Sequence, residues 1–592
     1  MKSFFKILLA TILALVIVSA FGTIFLISAL GGMFASEQVV ETKDSSILEI
    51  KLEEPIYDRA STNPVDNVDW QSFKVKKALG LNTLLEAIHR AKNDEKIKGI
   101  YLNTGSNNTM GFATAQELRH ALSKFKASGK FIYAYSNFYT QNAYYLASVA
   151  DSVFLQPEGA VDFKGLNIKM MFYKNLLSKL GVEMQVIRHG RFKSAVEPFI
   201  RTDMSSENKE QYRVLVSSMW GSIIEEIAQS RKVSVAQLNL SADSLAGMLA
   251  QDALSHQLVD VVAPYKVFQT SLMKRMKVKE EDKLNLISIQ KYMQTEKEIK
   301  KTNNKIAVIY AQGEIGMDKG SSYSIGTENI KDAIKAAAAD KNVKAIVLRV
   351  NSPGGSVLTS DIIYQEVILA QKKKPVVASF GNYAASGGYY ISCAANKIYS
   401  EPTTLTGSIG VFGIIPNAKK LLNDKLGINF DEVSTNTNSG ALSGVDRPLN
   451  KMELSLMQRN IENVYASFTS KVAKGRKMSV AEVDSIGQGR VWSGKDAIAI
   501  GLVDELGGLD AAISGAAKLA KLKAYKVEEF PKEPNPYTEL ISSLTTARVK
   551  VLNEDLTSTF GPELASWFMQ IRALKFLDRP SVMARMDVIV IE

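Results

Sequence analysis

The sequence is poor in the two residue types that most often cross-link chains or hold metals. It contains one cysteine, Cys393, and four histidines in 592 residues. A single cysteine cannot form an intrachain disulfide, and its place in an apolar run is typical of a small buried residue. The sequence has no zinc-finger spacing of cysteine and histidine, so we predict no metal site.

The charge is biased but carries little signature of a partner. The chain has 72 Lys and Arg residues against 61 Asp and Glu residues, a formal net charge of +11. Such a bias is compatible with binding to a nucleic acid, with binding to an anionic membrane surface, or with a basic surface that is simply exposed to solvent. No RNA-binding aromatic signature accompanies the charge. We therefore favour the last two and predict no nucleic-acid partner.

A long apolar stretch near the N-terminus predicts a membrane anchor. Ile7–Leu30 is uncharged and follows Lys2 and Lys6. At about 1.5 Å per residue, a helix of this length crosses a hydrocarbon core of about 30 Å. Positive charge before the helix places the N-terminus in the cytoplasm. We predict a retained single-pass anchor over residues 1–36 in the inner (cytoplasmic) membrane, with the rest on the periplasmic side. A cleaved secretory signal is the alternative.

The chain repeats itself at an offset of about 246 residues. Residues 87–106 align with residues 333–352, and residues 143–159 align with residues 388–404. Short β-branched strands alternate with amphipathic helices in both copies, which predicts an α/β fold with largely parallel strands. The predicted boundaries are a first copy over 45–298, a second copy over 299–530 and a C-terminal extension over 531–592.

Two glycine-rich turns of the second copy are candidates for a functional site. They are Asn351–Ser356 and Gly381–Gly388, and each follows a predicted strand. Ser386 lies where a helix begins, so unpaired backbone N–H groups there favour developing negative charge. We predict that the N–H groups of Gly355 and Gly387 form an oxyanion hole. The alternative is that these small residues only allow close packing of strand and helix.

Three motifs of the second copy occur together: NSPGGS, SFGNYAASGGYYIS and LTGSIGV. Together they resemble the signal peptide peptidase A (protease IV) family in its long, duplicated form, which has the ClpP/crotonase-like fold. The resemblance implies a membrane-anchored serine endopeptidase with Ser386 as nucleophile and Lys193, in the segment Gly190–Phe199, as general base. It also implies peptide substrates such as cleaved signal peptides, a homo-oligomer and no cofactor.

The repeat supports this pair of residues independently. Ser386 aligns with Gln141 in the first copy, and Lys193 aligns close to Ser439 in a stretch of the second copy that contains no lysine. Each copy has therefore kept a group that the other has lost. We predict one composite active site per chain, in which the copies pack so that Lys193 reaches Ser386.

The proposed base sets a requirement on its surroundings. Lysine has a reference pKa of about 10.4, and it must be neutral to accept a proton. We expect burial to lower the pKa of Lys193, because desolvation disfavours the ammonium form. The resemblance makes Ser408 the hydroxyl beside the amine, and a turn-forming serine is the alternative.

Other functions remain open at this level. A Ser-His-Asp triad needs a histidine beside Ser386, and only His189, four residues before Lys193, comes near the proposed site in the sequence. A crotonase-like acyl-CoA enzyme would share the fold and the oxyanion hole but needs neither a seryl nucleophile nor an anchor. An inactive membrane scaffold is the third alternative. The histidines in helical stretches away from the glycine-rich turns are His89, His120 and His256.

Overall fold

The computed structural model describes residues 41–61, 68–69, 74–75, 78–105, 110–279, 283–296, 301–532 and 583–586. The predicted anchor over residues 1–36 lies outside these residues, as does most of the predicted C-terminal extension. Among the described residues, no helix combines the length and the apolar character needed to cross a membrane.

The first unit is an α/β unit. Its strands are β1 (Ser46–Lys51), β2 (Ile56–Tyr57), β3 (Val68–Asp69), β4 (Lys74–Val75), β5 (Leu79–Gly80), β6 (Ile97–Asn103), β7 (Phe131–Tyr139), β8 (Ser152–Val161), β9 (Glu183–His189), β10 (Val261–Val262) and β11 (Leu286–Ser288). Its helices are α1 (Leu81–Asn93), α2 (Phe112–Lys126), α3 (Gln141–Ala147), α4 (Lys174–Leu180), α5 (Glu197–Ile200), α6 (Ser206–Arg231), α7 (Val235–Asp243), α8 (Ala250–Ser255), α9 (Tyr265–Met276) and α10 (Ile289–Met293).

The second unit repeats this pattern. Its strands are β12 (Lys305–Gln312), β13 (Val343–Ser352), β14 (Gly354–Ser356), β15 (Val376–Ala385), β16 (Lys397–Ser400), β17 (Leu405–Gly407), β18 (Val411–Asn417), β19 (Val491–Ser493), β20 (Glu505–Leu506) and β21 (Lys526–Phe530), and β22 (Met583–Arg585) follows later in the chain. Its helices are α11 (Thr327–Ala339), α12 (Val357–Gln371), α13 (Gly387–Ser392), α14 (Lys451–Arg476), α15 (Val480–Ile486), α16 (Gly494–Ala499) and α17 (Leu509–Leu519).

The sheets of the two units have the same strand order, which confirms the predicted duplication. The first sheet runs β10-β8-β7-β6-β1-β11, and the second contains the corresponding path β20-β16-β15-β13-β12-β21. Neighbouring strands along both paths are parallel. Strands such as β13 are almost continuously apolar and buried, because a parallel sheet with helices on both faces leaves neither face to water.

A third sheet joins the units. It has the order β14-β22-β18-β9, so it contains one strand of the first unit, β9, beside strands from the second half of the chain. Strands β9 and β18 are antiparallel, and their register pairs His189 with Val411. The ends of these two strands lead directly into the segments that carry Lys193 and Ser408. The joining sheet therefore fixes how the two halves of the predicted site meet.

A buried ion cluster also links the units. Arg349 on β13 donates to Asp58 at 2.7 Å and to Glu117 at 2.5 Å, and both carboxylates belong to the first unit. Its other nitrogen donates to the hydroxyl of Ser379 and the carbonyl of Phe380. The Arg349 side chain is fully buried. Because a buried charge without a partner is costly, this cluster favours one arrangement of the two units.

Candidate active site

Ser386 stands at a sharp turn between β15 and α13. It is the N-cap of α13 with φ 54° and ψ −114°, and it is completely buried. Its backbone N–H donates to Gly407 O at 2.8 Å, and its carbonyl accepts from Tyr390 N. A positive φ is costly for a residue with a Cβ, and such strain clusters at functional sites where the surroundings hold it. The turn fixes the direction in which the Ser386 side chain leaves the backbone.

Lys193 lies in the loop after β9 and is held against the second unit. The N–H of Phe192 donates to Gln488 O at 2.9 Å. Gln211 on α6 donates to Phe192 O and accepts from the N–H of Val491 in the second unit. The Lys193 side chain is 1% exposed. Contacts across the interface between units thus position the lysine.

The structure brings together the three side chains that the sequence singled out. Nζ of Lys193 lies 3.0 Å from Oγ of Ser386 and 3.0 Å from Oγ of Ser408. It also lies 3.3 Å from the Ser408 carbonyl and 6.0 Å from the centre of the Phe412 ring. All three polar side chains are at most 1% exposed. The amine therefore sits in an enclosed pocket between two hydroxyls, as the predicted proton transfer requires.

The two predicted oxyanion donors lie side by side. A Cβ built on Gly387 would be 3.1 Å from the backbone nitrogen of Gly355. The carbonyl of Gly354 and the N–H of Ser356 bond to Ile315 on one edge of β14. The intervening N–H of Gly355 therefore faces the other edge, which is the side of Gly387. The Gly355 nitrogen therefore lies close to Gly387, as two donors to one oxyanion need to.

Replacing Ser408 with alanine is expected to lower kcat by about ten-fold, the effect of losing one hydrogen bond that orients the amine. Alanine fits the same space, so the fold should be retained. The measurement is steady-state cleavage of a peptide by the variant and the parent protein. An unchanged kcat would leave Ser408 as a turn residue only.

Gly489 allows the close approach of the Lys193 loop. It is buried with φ +80°, and a Cβ there would lie 2.7 Å from the backbone of Lys193. Gly489→Ala should therefore displace the lysine and lower kcat by about 10- to 100-fold. Gly129→Ala is the matched control, because Gly129 has φ +87° but nothing within 4 Å of the added Cβ. That control should cost about 1 kcal/mol of stability and leave kcat unchanged. Equal kcat values for the two variants would contradict this role of Gly489.

No histidine contacts Ser386, although all four lie within the described residues. His189 stacks on Tyr465 with ring centres 3.7 Å apart and bonds Glu462 at 2.7 Å. The remaining histidines contact groups away from Ser386: Asp510 for His89, Glu226 and Glu401 for His120, and the Asp252 carbonyl for His256. The arrangement gives no support to a Ser-His-Asp triad.

The sequence alignment of the two copies is off by one residue at the nucleophile. The N-cap of α3, which corresponds to Ser386 at the N-cap of α13, is Thr140 rather than Gln141. The single-residue shift falls inside these helices, because α3 is one residue longer. Thr140 has an ordinary φ of −64°, and its hydroxyl accepts from Ala143 N. The first unit therefore keeps a hydroxyl here, but uses it as a helix cap.

Two parts of the site were missed in the sequence. The Gln488–Gly489 loop carries no motif beyond its glycines, and only its packing on Lys193 marks it. Strand β22 belongs to the C-terminal extension, for which the sequence suggested no role, yet it pairs with β14 beside the predicted oxyanion donors. The sequence of Met583–Met586, MARM, contains no motif that indicates this pairing.

Comparison with known proteins agrees with the fold. Residues 124–279 and 368–523 each match Peptidase family S49, and residues 300–404 match Clp protease. Two corresponding segments of the chain thus match one family. A duplicated Clp-protease-like α/β fold with an enclosed serine beside a lysine places the chain in the class of serine proteases.

Similar proteins extend over most of the chain. "Protease 4" of Salmonella typhi is 37% identical over 498 residues, 83% of this chain and 80% of the relative. "Protease 4" of Haemophilus influenzae is 35% identical, with 80% and 79% covered. "Serine protease SPPA, chloroplastic" of Arabidopsis thaliana is 31% identical, with 83% and 73% covered. The chain belongs to Peptidase family S49.

Proposed function

We propose that the chain is an endopeptidase in which Lys193 removes the proton of Ser386 and Ser386 attacks a peptide carbonyl. The observation that carries this proposal is the 3.0 Å distance between Nζ and Oγ of two buried side chains from different units. A general base has to lie within hydrogen-bond reach of the proton that it takes. Membership of a serine protease family disfavours the acyl-CoA enzyme and the inactive scaffold.

The proposed reaction uses groups of the chain alone. Attack by Ser386 gives a tetrahedral intermediate whose oxyanion accepts from the N–H groups of Gly355 and Gly387. Lys193, charged after the first transfer, returns its proton to the leaving amine. Water then hydrolyses the acyl-enzyme on Ser386 with the same amine as base. Ser408 keeps the amine pointed at the reacting oxygen throughout.

The proposed substrates are unfolded peptides, among them remnants of cleaved signal peptides. A buried Ser386 admits an extended chain but not the surface of a folded protein. The test is to incubate the enzyme with a synthetic signal peptide and with a folded globular protein, and to map products by mass spectrometry. We expect cleavage of the peptide alone and none by Ser386→Ala. Equal cleavage by that variant, or rapid hydrolysis of the folded protein, would refute the proposal.

We also propose that residues 1–36 hold the enzyme in the inner membrane with its catalytic units on the periplasmic side. The support is the apolar segment Ile7–Leu30 and the lysines before it. Protease added to intact spheroplasts should degrade the catalytic units. Their protection until the cells are lysed would place them in the cytoplasm instead.

A homo-oligomer is the proposed assembly. Its support is the resemblance to a family whose members assemble from several subunits. In those assemblies the subunits enclose the active sites and admit only unfolded segments. Sedimentation equilibrium of the detergent-solubilised full chain should give a mass that is a multiple of 65.0 kDa. A mass of one chain at all concentrations tested would rule this assembly out.

A further inference from the structure

One arginine of the second unit contacts both halves of the proposed site. Arg490 lies between β19 and Gly489, the residue that packs on the backbone of Lys193. Its carbonyl accepts from the N–H of Ser408 at 2.7 Å, and its own N–H donates to Gly487 O at 2.8 Å. The backbone of Arg490 therefore holds the residue whose hydroxyl contacts the Lys193 amine.

The side chain of Arg490 crosses to the first unit. Its guanidinium carbon lies 4.9 Å from the centre of the Phe192 ring, and Phe192 immediately precedes Lys193. The same carbon lies 4.6 Å from the ring of Trp492 in its own unit. A guanidinium over an aromatic ring is attracted by the electrons of that ring, more strongly where water is kept away. Phe192 is 5% exposed, so this contact is largely shielded from water.

A second arginine lies over the same ring but belongs to the other side of the contact. The guanidinium carbon of Arg191 is also 4.9 Å from the centre of the Phe192 ring. Because Arg191 is part of the Lys193 loop, it moves with the ring and cannot fix that loop against the second unit. Arg490 belongs to the unit that carries both serines of the site. Its contact with Phe192 therefore restrains the distance between the amine and the two hydroxyls.

We propose that Arg490 is a positioning residue, whose guanidinium holds the Lys193 loop against the second unit through the ring of Phe192. The proposal rests on the proposed function, because the distance from amine to hydroxyl matters only if a proton passes between them. Arg490 acts through Phe192 and not on the reacting atoms. Loss of its side chain should therefore reduce the fraction of molecules in which the amine reaches Ser386, without changing how the peptide binds.

The experiment compares kcat and KM for peptide cleavage by the full chain and by its Arg490→Met variant. Methionine has a similar length but no planar charge. We expect kcat to fall about 3- to 30-fold, the factor that corresponds to one cation–π contact. KM should stay within about two-fold of the parent, because peptide binding is not affected. An unchanged kcat, or a rise in KM without a fall in kcat, overturns the proposal.

Three further variants isolate the contact between the units. Arg191→Met removes the other guanidinium from the same ring and should leave kcat within about two-fold. Glu210→Gln removes the ion pair that Arg490 makes at 3.4 Å, and it should also leave kcat unchanged. Arg490→Lys keeps the charge and the ion pair but lacks the planar guanidinium, so kcat should fall in this variant too. A loss in either of the first two equal to that of Arg490→Met contradicts the role of the contact with Phe192.

A second background tests whether Arg490 acts through the lysine. The rate at which a fluorophosphonate labels Ser386 is measured for Arg490→Met in the parent chain and in Lys193→Met. Labelling should slow about 3- to 30-fold in the parent chain. It should slow by less than about two-fold without Lys193, because an amine that is absent cannot be displaced. Equal slowing in both backgrounds would mean that Arg490 supports the site in general, and it overturns the proposal.

The same measurements distinguish failure of the proposal from failure of the proposed function. Labelling of Ser386 that depends on Arg490, without peptide cleavage by the parent chain, would keep the positioning residue and refute the endopeptidase. Cleavage and labelling that are both unaffected by Arg490→Met would refute the positioning residue alone. Absence of labelling at Ser386 in the parent chain would refute both.

Discussion

Replacing Lys193 with methionine is expected to lower kcat by about 10²- to 10⁴-fold, the size of a general-base contribution. Methionine has a similar length and is apolar, so it fills the enclosed pocket without supplying a base. Nζ is the basic nitrogen that the structure places 3.0 Å from the Ser386 hydroxyl. The measurement is kcat for peptide cleavage, with circular dichroism to show that the fold is retained.

His189→Ala is the control for this result. His189 precedes Lys193 by four residues, but its ring pairs with Glu462 and Tyr465 rather than with the nucleophile. We expect its kcat to stay within about three-fold of the parent, because a surface substitution of this kind moves no reacting group. Activity retained by Lys193→Met and lost in His189→Ala would exclude the Ser/Lys pair.

Replacing Arg349 with methionine is expected to lower the free energy of unfolding by about 3–5 kcal/mol. The change leaves Asp58 and Glu117 buried without the guanidinium that bonds both. Because those carboxylates belong to the first unit and Arg349 to the second, the loss weakens the packing that brings Lys193 to Ser386. The measurement is the free energy of unfolding from chemical denaturation.

The loss of unfolding free energy caused by Arg349→Met should depend on pH in a defined direction. Burial raises the pKa of Glu117 to about 7, and Arg349 opposes that rise. Without Arg349 the pKa of Glu117 rises further, so the folded state holds its proton more tightly than the unfolded state. The stability that comes from this bound proton is present at low pH, and it is lost as the pH rises through the pKa of Glu117 in the folded state. Destabilisation by Arg349→Met should therefore be smaller at about pH 6 than at about pH 8.

An exposed ion pair serves as the control for Arg349→Met. Lys319 and Glu328 lie 3.8 Å apart, and both are well exposed. Lys319→Met should change the free energy of unfolding by less than about 1 kcal/mol at either pH. If the two substitutions had equal effects, the buried cluster would have no special part in joining the units.

Local patterns sufficed for those parts of the site that lie within one turn. The glycines around Ser386 and Gly355 marked the proposed nucleophile and the proposed oxyanion donors, because only small residues fit such turns. The repeat and the family motif together pointed to Lys193. The α/β fold with parallel strands followed from alternating strands and helices, and the structure has it in both units.

The contacts between distant segments could not be predicted in this way. The Gln488–Gly489 loop holds Lys193 through backbone packing, which requires no particular side chain and so leaves no motif. Strand β22 pairs with β14 across more than two hundred residues of sequence, and backbone pairing is nearly independent of sequence. The alignment of Ser386 with Gln141 failed because the match of Tyr144-Tyr145 with Tyr389-Tyr390 set the offset, whereas the one-residue difference in length lies between these tyrosines and the start of the helix.

Labelling by a serine-reactive fluorophosphonate tests most directly whether Lys193 of the first unit and Ser386 of the second form one active site. Mass spectrometry of the labelled chain and its peptides gives the number of adducts, their position and their rate of formation. The account predicts one adduct per chain, on Ser386, and a rate of labelling in Lys193→Met that is lower by at least about 10²-fold. An adduct at another residue, two adducts per chain, or an unchanged rate without Lys193 would contradict it.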